Sequence, residues 1–441
     1  MELLDRILGK CRRAGAEMAE VYYVSSRSLS ISVRNGLVET IEKSTPGGMA
    51  IRFFSNGRTA FGHTTEFSDA AIDRTADKLS RLASKMEKDE FAVLPGPTQY
   101  SKGPDIFGDS FINEPMETKI QYLINLEKKA LTFDPLIKNS QGVSYSEHIV
   151  TEGLANSKGV KSDYNSTYYR VGISVVASKD DQMFPGQGSV GARYFWDLPS
   201  PDMIVERFAS RAVRLIGGTS VEGGDYEIIF APRAANSILW GLSQALNGDN
   251  AFKGASFLTD KKGSKVAAEI LSIYDDALMK RGVASRPADS EGCASRKLAP
   301  IENGIVTGFM YDSRTAAKAS AESTGSCARE DYTSYPGIFP SNFYIAPGTD
   351  KVEDVIAACK KGIIVEETQG WGLHNVTGQY SAGINGTLVK DGQRIRPVAD
   401  VTIAADADKL LNGIGAICDD ITFYDSFNSP SIMVMSMRVG A

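Results

Sequence analysis

Two Asn-Gly pairs near the start of the chain, Asn35-Gly36 and Asn56-Gly57, most strongly constrain what this sequence can fold into. Apolar residues alternate with other residues before each pair, at Leu29, Ile31 and Val33 and then at Met49, Ile51 and Phe53. Such alternation indicates strands, and Asn-Gly favours the tight turn of an antiparallel hairpin. Apolar residues at helical spacing flank the hairpins over residues 3–14 and 72–86, and Ser68 or Asp69 is predicted to cap the second helix. Residues 1–92 therefore predict an N-terminal α/β unit with a small antiparallel sheet.

The rest of the chain divides by its local composition. Residues 93–113 are rich in Pro, Gly, Ser and Asp and lack a sustained period, which predicts a linker. Residues 114–222 predict a central mixed domain, in which strand-like segments are followed by a helix that begins at Ser200-Pro201. Residues 223–441 alternate short β-rich segments with glycine-dense loops, which predicts a β-rich C-terminal domain. The predicted fold class of the whole chain is α+β.

Charge and cysteine content exclude several classes of function. The 54 acidic residues outnumber the 48 basic ones, so the chain of 441 residues has a net charge of −6 and lacks the basic surface typical of direct nucleic-acid binding. No uncharged apolar stretch approaches the roughly 20 residues of a membrane helix, and Glu2 and Asp5 interrupt the apolar N-terminus. We therefore expect a cytoplasmic protein without membrane contact, whose five scattered cysteines are reduced, buried thiols.

The chain has three histidines, His63, His148 and His374, which lie dozens of positions apart. A helical zinc site needs two imidazoles close together on one helix, so this chain cannot build one. His374 lies in the glycine-flanked residues 369–378 and is the best of the three candidates for contact with a ligand. A structural hydrogen bond is the more common role of a lone loop histidine, and His63 and His148 are predicted to be structural.

Two further motifs support weaker hypotheses. Residues 186–191 match the dinucleotide-binding pattern G-x-G-x-x-G, but aromatic strand-like residues follow where a phosphate-binding helix has to begin. A turn between two strands is therefore the prediction there. Cys327 is a candidate nucleophile whose pKa the neighbouring Arg329 would lower, although no general base lies nearby in the sequence.

Several longer motifs resemble those of one protein family. Near the N-terminus they are Val33-Arg-Asn-Gly36, Glu39, Gly47-Gly-Met-Ala-Ile-Arg52, Asn56-Gly-Arg58 and Gly62. Near the C-terminus they are Ser341-Asn-Phe-Tyr-Ile-Ala-Pro-Gly348, Val376-Thr-Gly-Gln-Tyr-Ser-Ala-Gly-Ile-Asn-Gly386, Gly392 and Arg396-Pro-Val398. On these residues the chain resembles, across almost its full length, the TldD/PmbA family. Within that family it resembles the PmbA branch, also called TldE and historically labelled a modulator of DNA gyrase.

The resemblance implies a proteolytic system in which a TldD subunit carries zinc through an H-E-x-x-x-H helix and a later ligand. Residues 246–256 look like the segment that follows this helix in TldD. The two histidines would then stand at Leu239 and Gln244, the glutamate at Trp240, and the last ligand near Asn428. Leucine has no lone pair, an amide is a poor zinc ligand, and an indole accepts no proton. The resemblance thus implies no metal, cofactor or catalytic residue in this chain, and zinc in a TldD-like partner.

Three hypotheses of function stay open on the sequence. The first is a non-catalytic subunit that pairs with a TldD-like metallopeptidase subunit as a heterodimer, with a homodimer left open when that partner is missing. Its substrates would be peptides or unfolded proteins, such as peptide-antibiotic precursors and antitoxins. Substrate contacts are predicted at Asp249, Lys253, Gly254, Ser256, His374, Thr377, Gly378 and Ser381. The second hypothesis is a standalone binding or regulatory protein of a toxin–antitoxin or DNA gyrase pathway, and the third is a metal-independent enzyme that uses Cys327 or the glycine-rich loops.

Overall fold

The computed structural model describes residues 1–100 and 103–440. The first half of the chain is built around one antiparallel sheet of seven strands. In chain order these strands are β1 (Met18–Arg34), β2 (Leu37–Ser44), β3 (Gly47–Ser55), β4 (Arg58–Thr64), β5 (Ile137–Asn156), β6 (Lys161–Lys179) and β7 (Gln182–Ala192). Their order across the sheet is β4-β3-β1-β5-β6-β7, and β2 pairs with the part of β1 that extends beyond β3.

Both predicted Asn-Gly hairpins are confirmed. Asn35 and Gly36 join β1 to β2 with φ angles of 53° and 72°. Asn56 and Gly57 join β3 to β4 with φ angles of 52° and 68°. Positive φ at both central residues matches the right-handed twist of the strands, and Asn and Gly adopt it at low cost.

Four helices pack against this sheet: α1 (Glu2–Arg13), α2 (Asp69–Ala83), α3 (Met116–Leu131) and α4 (Pro201–Leu215). Two of the predicted helix starts are confirmed by side-chain caps. Ser68 Oγ accepts a hydrogen bond from Ala71 N, and Ser200 Oγ accepts one from Met203 N, both at 3.3 Å. One apolar cluster lies under α1 and α2, and a second lies under α3 and α4.

The predicted boundary at residues 93–113 does not separate two sheets. The described part of this segment forms no helix or strand. However, β1 before it and β5 after it pair along their length from Glu20 to Val33. The division into domains 1–92 and 114–222 stays a prediction, and the strands of both regions belong to one continuous sheet.

The C-terminal half contains several smaller sheets with short helices between them. Its strands are β8 (Gly224–Phe230), β9 (Ile273–Asp276), β10 (Lys297–Glu302), β11 (Ile305–Val306), β12 (Cys327–Ala328), β13 (Gly337–Ile338), β14 (Phe343–Ile345), β15 (Lys361–Leu373), β16 (Gln379–Lys390), β17 (Gln393–Asp406), β18 (Ile414–Ile417), β19 (Phe427–Asn428) and β20 (Ile432–Gly440). Its helices are α5 (Pro232–Ala245), α6 (Gly248–Phe252), α7 (Ser313–Lys318), α8 (Val352–Ala358) and α9 (Ala407–Asn412).

The largest sheet of this half has the strand order β17-β16-β15-β8-β20-β18. A second sheet has the order β11-β10-β9-β14-β19, and β12 pairs with β13. With helices packed on an antiparallel sheet in the first half and mainly strands in the second, the predicted α+β class is confirmed. No helix of the described residues is both long enough and apolar enough to cross a membrane.

Helix α5 is held in the core of the C-terminal half. It packs against β15 and buries an apolar face that includes Ile238, Leu239 and Leu242. At Gly241 the helix touches β15 directly, because a Cβ there would lie 2.1 Å from the carbonyl oxygen of Leu373. Apolar packing and this close backbone contact therefore fix the position of α5.

The turn predicted at residues 186–191 is wrong, because these residues lie within β7. Helix α4 crosses the strand at this point. A Cβ at Gly186 would lie 2.5 Å from the carbonyl oxygen of Phe208, and one at Gly188 would lie 2.1 Å from the Phe208 ring. The glycines therefore allow a helix to lie close on a strand, and the strand, loop and helix of a dinucleotide site are not formed here.

A buried chain of four charged side chains joins the seven-stranded sheet to the C-terminal half. Glu20 on β1 lies opposite Arg52 on β3, and Arg52 Nε donates to Glu20 at 2.9 Å. Arg52 Nη1 donates to Glu291 at 2.8 Å, and Arg329 Nη2 donates to Glu20 Oε1, which also accepts from Arg52 Nε. None of the four side chains is more than 4% exposed. Each charge therefore depends on its partners, because water does not solvate it.

We expect Arg52→Met to lower the free energy of unfolding by about 3–5 kcal/mol, because it leaves Glu20 and Glu291 buried without a shared partner. Arg74→Met is the matched control, since it removes an exposed ion pair with Glu66 at 3.2 Å. We expect that control to cost less than about 1 kcal/mol. Urea denaturation measures both values, and equal costs for the two variants would contradict the role given to the buried chain.

Candidate functional site

A cavity of about 500 Å³ opens beside α5. Four residues at helical spacing turn one face of α5 towards it: Arg233, Asn236, Ser237 and Trp240. We call it the α5 cavity, and its other lining residues include Arg170, Arg207, Trp371, Tyr424, Phe427 and Asn428. Its walls therefore come from both halves of the chain.

Aromatic rings line part of the α5 cavity. Trp240 packs against Phe339 and Phe427, with ring centroids 6.0 and 5.6 Å apart. Trp371 is 90% exposed and lies in a bulge of β15, where residues 370 and 371 interrupt the pairing with β16. Both glycines that flank Trp371 have positive φ. Exposed aromatic surface beside a cavity is typical of a contact site.

The α5 cavity carries a positive charge. Arg170 on β6, Arg207 on α4 and Arg233 on α5 line it together with one acidic residue, Asp425. Each arginine donates a hydrogen bond to a neutral oxygen, at 2.8, 3.1 and 2.9 Å respectively. No carboxylate of the described residues lies within salt-bridge distance of these three guanidinium groups. Desolvation lowers the pKa of Arg207, and repulsion from Arg233 adds to this shift, whereas Tyr424 and the more distant carboxylate of Asp420 oppose it.

The four positions that the resemblance equates with zinc-binding and catalytic residues do not fit a zinc ion. Leu239 is fully buried in the core, and Gln244 does not line the α5 cavity. Trp240 and Asn428 do line it, and Asn428 Nδ2 donates to the carbonyl oxygen of Asp425 at 2.6 Å. An aliphatic group, an indole and two carboxamides supply none of the imidazole, thiolate or carboxylate ligands that zinc takes.

The structure brings the two segments with predicted substrate contacts together, outside the lining of the α5 cavity. Asn375 Nδ2 donates to the carbonyl oxygen of Ala255 at 3.0 Å, and Phe257 N donates to the carbonyl oxygen of Asn375 at 2.8 Å. Gly378, with a φ of 69°, lies directly against Phe257. The role of these segments in substrate contact stays a prediction.

Several predicted contact residues near α6 already bind other parts of the chain. Asp249 accepts hydrogen bonds from Lys253 at 2.5 Å and from Lys318 at 3.2 Å. Ser256 is buried, and its Oγ donates to the carbonyl oxygen of Ala245 at 2.6 Å. Gly254 has a φ of 68° and follows the end of α6. The hydrogen bonds of Asp249 and Ser256 thus connect α6 and the residues after it to α7 and to the end of α5.

The histidines have local structural contacts. His374 Nδ1 accepts hydrogen bonds from the backbone N of Val376 and of Thr377, both at 3.3 Å, and so holds the turn between β15 and β16. Thr377 is exposed in that turn, and Ser381 is exposed on β16. His63 lies on β4, and His148 lies on β5 with its ring centroid 6.4 Å from that of Tyr168.

The hypothesis of a nucleophilic Cys327 is wrong. This residue is fully buried, and burial raises the pKa of its thiol well above the usual value. Arg329, which was predicted to lower that pKa, instead pairs with Glu20. A buried, protonated thiol is inert. The prediction of reduced, buried cysteines is confirmed, since all five are unpaired and buried.

One buried group has the composition of a metal site but serves another purpose. Potential ligand atoms of Asp289, Glu291 and Cys293 all lie within 4.8 Å of one another. Asp289 Oδ1 already accepts from the backbone N of Glu291 and Cys293 at 2.9 and 2.8 Å, and Glu291 pairs with Arg52. Burial raises the pKa of Cys293 to about 12, which disfavours the thiolate that a metal needs. The group therefore stabilises the loop and the buried charge chain.

Sequence reasoning missed most residues of the α5 cavity. A usable signal was Gly370-Trp371-Gly372, because glycines inside a strand mark bulges that redirect a side chain. The arginines carry no comparable local signal. They belong to three different elements, which only the tertiary structure brings together: Arg170, Arg207 and Arg233.

Comparisons with known proteins place the chain in a family. The PmbA/TldA metallopeptidase models match it over residues 19–83 (domain 1), 109–216 (central domain) and 223–441 (C-terminal domain). It is 27% identical to Metalloprotease PmbA of Escherichia coli O157:H7 over 426 residues, which cover 96% of this chain and 92% of that protein.

Two solved structures have a similar fold. TldE from Thermococcus kodakarensis matches with a TM-score of 0.90 at 21% identity, and the match covers 100% of both chains. A Bacteroides thetaiotaomicron protein described as a modulator of DNA gyrase matches with a TM-score of 0.90 at 22% identity, covering 100% of this chain and 98% of that one. Because the three domain models together span most of the sequence, the resemblance is confirmed, and this chain belongs to the PmbA/TldD metallopeptidase family.

Proposed function

We propose that this chain is the non-catalytic, PmbA/TldE-type subunit of a TldD-type zinc metallopeptidase and acts in the cytoplasm. It binds peptides or unfolded proteins, such as peptide-antibiotic precursors and antitoxins, for cleavage by a TldD-like partner in a heterodimer. One observation carries the proposal. The resemblance places Leu239, Trp240 and Gln244 of helix α5 at the positions of the zinc motif, and these residues offer no ligand suited to zinc.

The geometry of the α5 cavity supports a binding role. Its volume of about 500 Å³ lies in the range of about 300–1,000 Å³ that is usual for ligand sites. Asn236 Nδ2 donates to the carbonyl oxygen of Phe427 at 3.2 Å, whereas its buried Oδ1 has no donor among the described residues. Residues 370 and 371 interrupt the pairing of β15 with β16, which leaves backbone groups available to an extended peptide beside Trp371.

In the proposed heterodimer the two subunits have different roles. Zinc held by the partner would polarise the peptide carbonyl and activate a water molecule. This chain would bind and orient the substrate through Trp371 and the arginines of the α5 cavity. A subunit that positions a substrate can accelerate a reaction without supplying a reacting group.

We expect the purified chain to hold substoichiometric zinc and to leave an unfolded test protein, reduced and carboxymethylated lactalbumin, intact. Addition of the TldD-like subunit from the same host is expected to produce cleavage that a chelator abolishes. Metal analysis and mass spectrometry of the products measure both results.

The control for this experiment is a partner whose motif glutamate is replaced by glutamine, which we expect to be inactive with this chain. Chelator-sensitive cleavage by the isolated chain would overturn the proposal. Recovery of gyrase subunits in place of a TldD-like subunit from native extract would favour the standalone regulatory protein.

We expect Trp371→Ala to weaken binding of a capped, neutral hexapeptide, acetyl-Ala-Gln-Leu-Ala-Gln-Ala-amide, by about fivefold to thirtyfold, as for other exposed aromatic contact residues. The side chain is 90% exposed, so we expect the melting temperature to stay unchanged. Trp196→Ala is the matched control, since Trp196 is 69% exposed and does not line the α5 cavity. Isothermal titration calorimetry measures both affinities, and an equal loss in the two variants would contradict a specific role for Trp371.

A further inference from the structure

The arginines of the α5 cavity contrast with the charge of the rest of the chain. The whole chain has a net charge of −6. The lining of this cavity nevertheless contains three arginines and one aspartate. Arg170, Arg207 and Arg233 all have exposed side chains that border the cavity. Like charges repel, so an anion bound between these arginines would relieve the repulsion among them.

Two other arginines of α4 do pair with carboxylates, in contrast to the arginines of the cavity. On α4, Arg214 donates to Glu366 with Nε at 3.2 Å and with Nη2 at 2.7 Å. Arg211, one turn earlier, lies 2.9 Å from Glu367. Carboxylates of β15 thus pair with Arg211 and Arg214 of α4. By contrast, no carboxylate of the residues that the structure describes lies within 4.0 Å of the Arg207 guanidinium.

The one acidic residue of the cavity does not neutralise its arginines. Asp425 Oδ1 accepts a hydrogen bond from the backbone N of Ser426 at 2.8 Å and forms no salt bridge with a described residue. Arg207 instead places its guanidinium 5.4 Å from the centroid of the Tyr424 ring. Hydrogen bonds to neutral oxygens hold each arginine, and the Tyr424 ring also contacts Arg207. These contacts leave several of the five N–H donors of each guanidinium available.

Two arginines of the α5 cavity also line an adjoining depression. This shallower depression has a volume of about 480 Å³ and shares Arg170, Gly188, Ser189 and Arg233 with the lining of the cavity. The acidic residue of this depression, Glu39, lies 3.9 Å from Arg34. Two adjoining hollows with shared arginines fit an extended chain better than a compact small molecule.

We propose that the α5 cavity and the adjoining depression select acidic peptide segments, in which Asp or Glu carboxylates bind Arg170, Arg207 and Arg233 while apolar side chains contact Trp240 and Trp371. Guanidinium and carboxylate groups match in geometry and form paired, charge-assisted hydrogen bonds. This inference rests on the proposed function, since it names the substrate class of the peptide-binding subunit. It adds a preference that peptide binding through backbone groups alone does not give.

The test uses the full chain and three capped hexapeptides without end charges, measured by isothermal titration calorimetry. The peptides are acetyl-Ala-Glu-Leu-Ala-Glu-Ala-amide and its counterparts with Gln or Lys in place of Glu. We expect the Glu peptide to bind about tenfold or more tightly than the Gln peptide, and the Lys peptide to bind most weakly. The preference for Glu is expected to shrink as salt rises from about 0.05 to 0.5 M, because salt screens exposed charges.

Two double variants test whether the preference depends on the cavity charges and not on a general loss of folding. The double variant Arg207→Gln/Arg233→Gln is expected to lose most of its preference for the Glu peptide over the Gln peptide, because only Arg170 of the three cavity arginines is left. Its affinity for the Gln peptide is expected to fall less than its affinity for the Glu peptide. The matched control Arg12→Gln/Arg13→Gln removes two exposed arginines of α1, which lie outside both hollows, and is expected to keep the preference. Thermal unfolding of both double variants verifies that they are folded.

The outcomes distinguish this inference from the proposed function. Equal binding of the Glu and Gln peptides by the unchanged chain, or an undiminished preference in Arg207→Gln/Arg233→Gln, would overturn the acidic preference and leave peptide binding intact. Failure to bind any of the three peptides, alone or with the TldD-like partner, would overturn both. A preference lost in the cavity variant and kept in the α1 variant supports the inference.

Discussion

The buried chain of Arg329, Glu20, Arg52 and Glu291 is the interaction on which the arrangement of the molecule depends. Charges removed from water are stable only with partners in good geometry, so the C-terminal half can dock on the sheet in few ways. This docking also builds the α5 cavity. The α5 cavity takes Arg170 from the sheet and Trp240 from the C-terminal half, and a shift between the halves would separate these walls.

Helix α5, which the resemblance aligns with a zinc-binding helix, is held in place by packing. A metal can contribute much of the folding energy of a small domain, but α5 is held by an apolar face and by the contact of Gly241 with Leu373. Leu239 belongs to that apolar face. An imidazole at this position would bring an unpaired polar group into the core, which is costly unless it is hydrogen-bonded. Apolar packing therefore accounts for the leucine at position 239, whereas the side chains that line the α5 cavity include aromatic and cationic groups.

The sequence allowed the local structure to be predicted much better than the site. The hairpins at Asn35 and Asn56 and the cap at Ser68 follow from short-range preferences, and they are confirmed. The continuous sheet across residues 93–113 depends on the long-range pairing of β1 with β5, which no local pattern reveals. The glycines of residues 186–191 were misread for the same reason, since the helix that requires them lies further along the chain. The aligned α5 positions could be identified from the resemblance, whereas the cavity arginines required the tertiary structure.

The net negative charge of the chain does not oppose binding of acidic segments in the α5 cavity. At physiological ionic strength the Debye length is about 8 Å, so charges elsewhere on the surface act weakly on a peptide in the cavity. Arg170, Arg207 and Arg233 act at contact distance, where partial exclusion of water strengthens their attraction. The same screening means that the chain gains little long-range attraction for acidic substrates. Selection would therefore occur after encounter and would appear in the dissociation rate more than in the association rate.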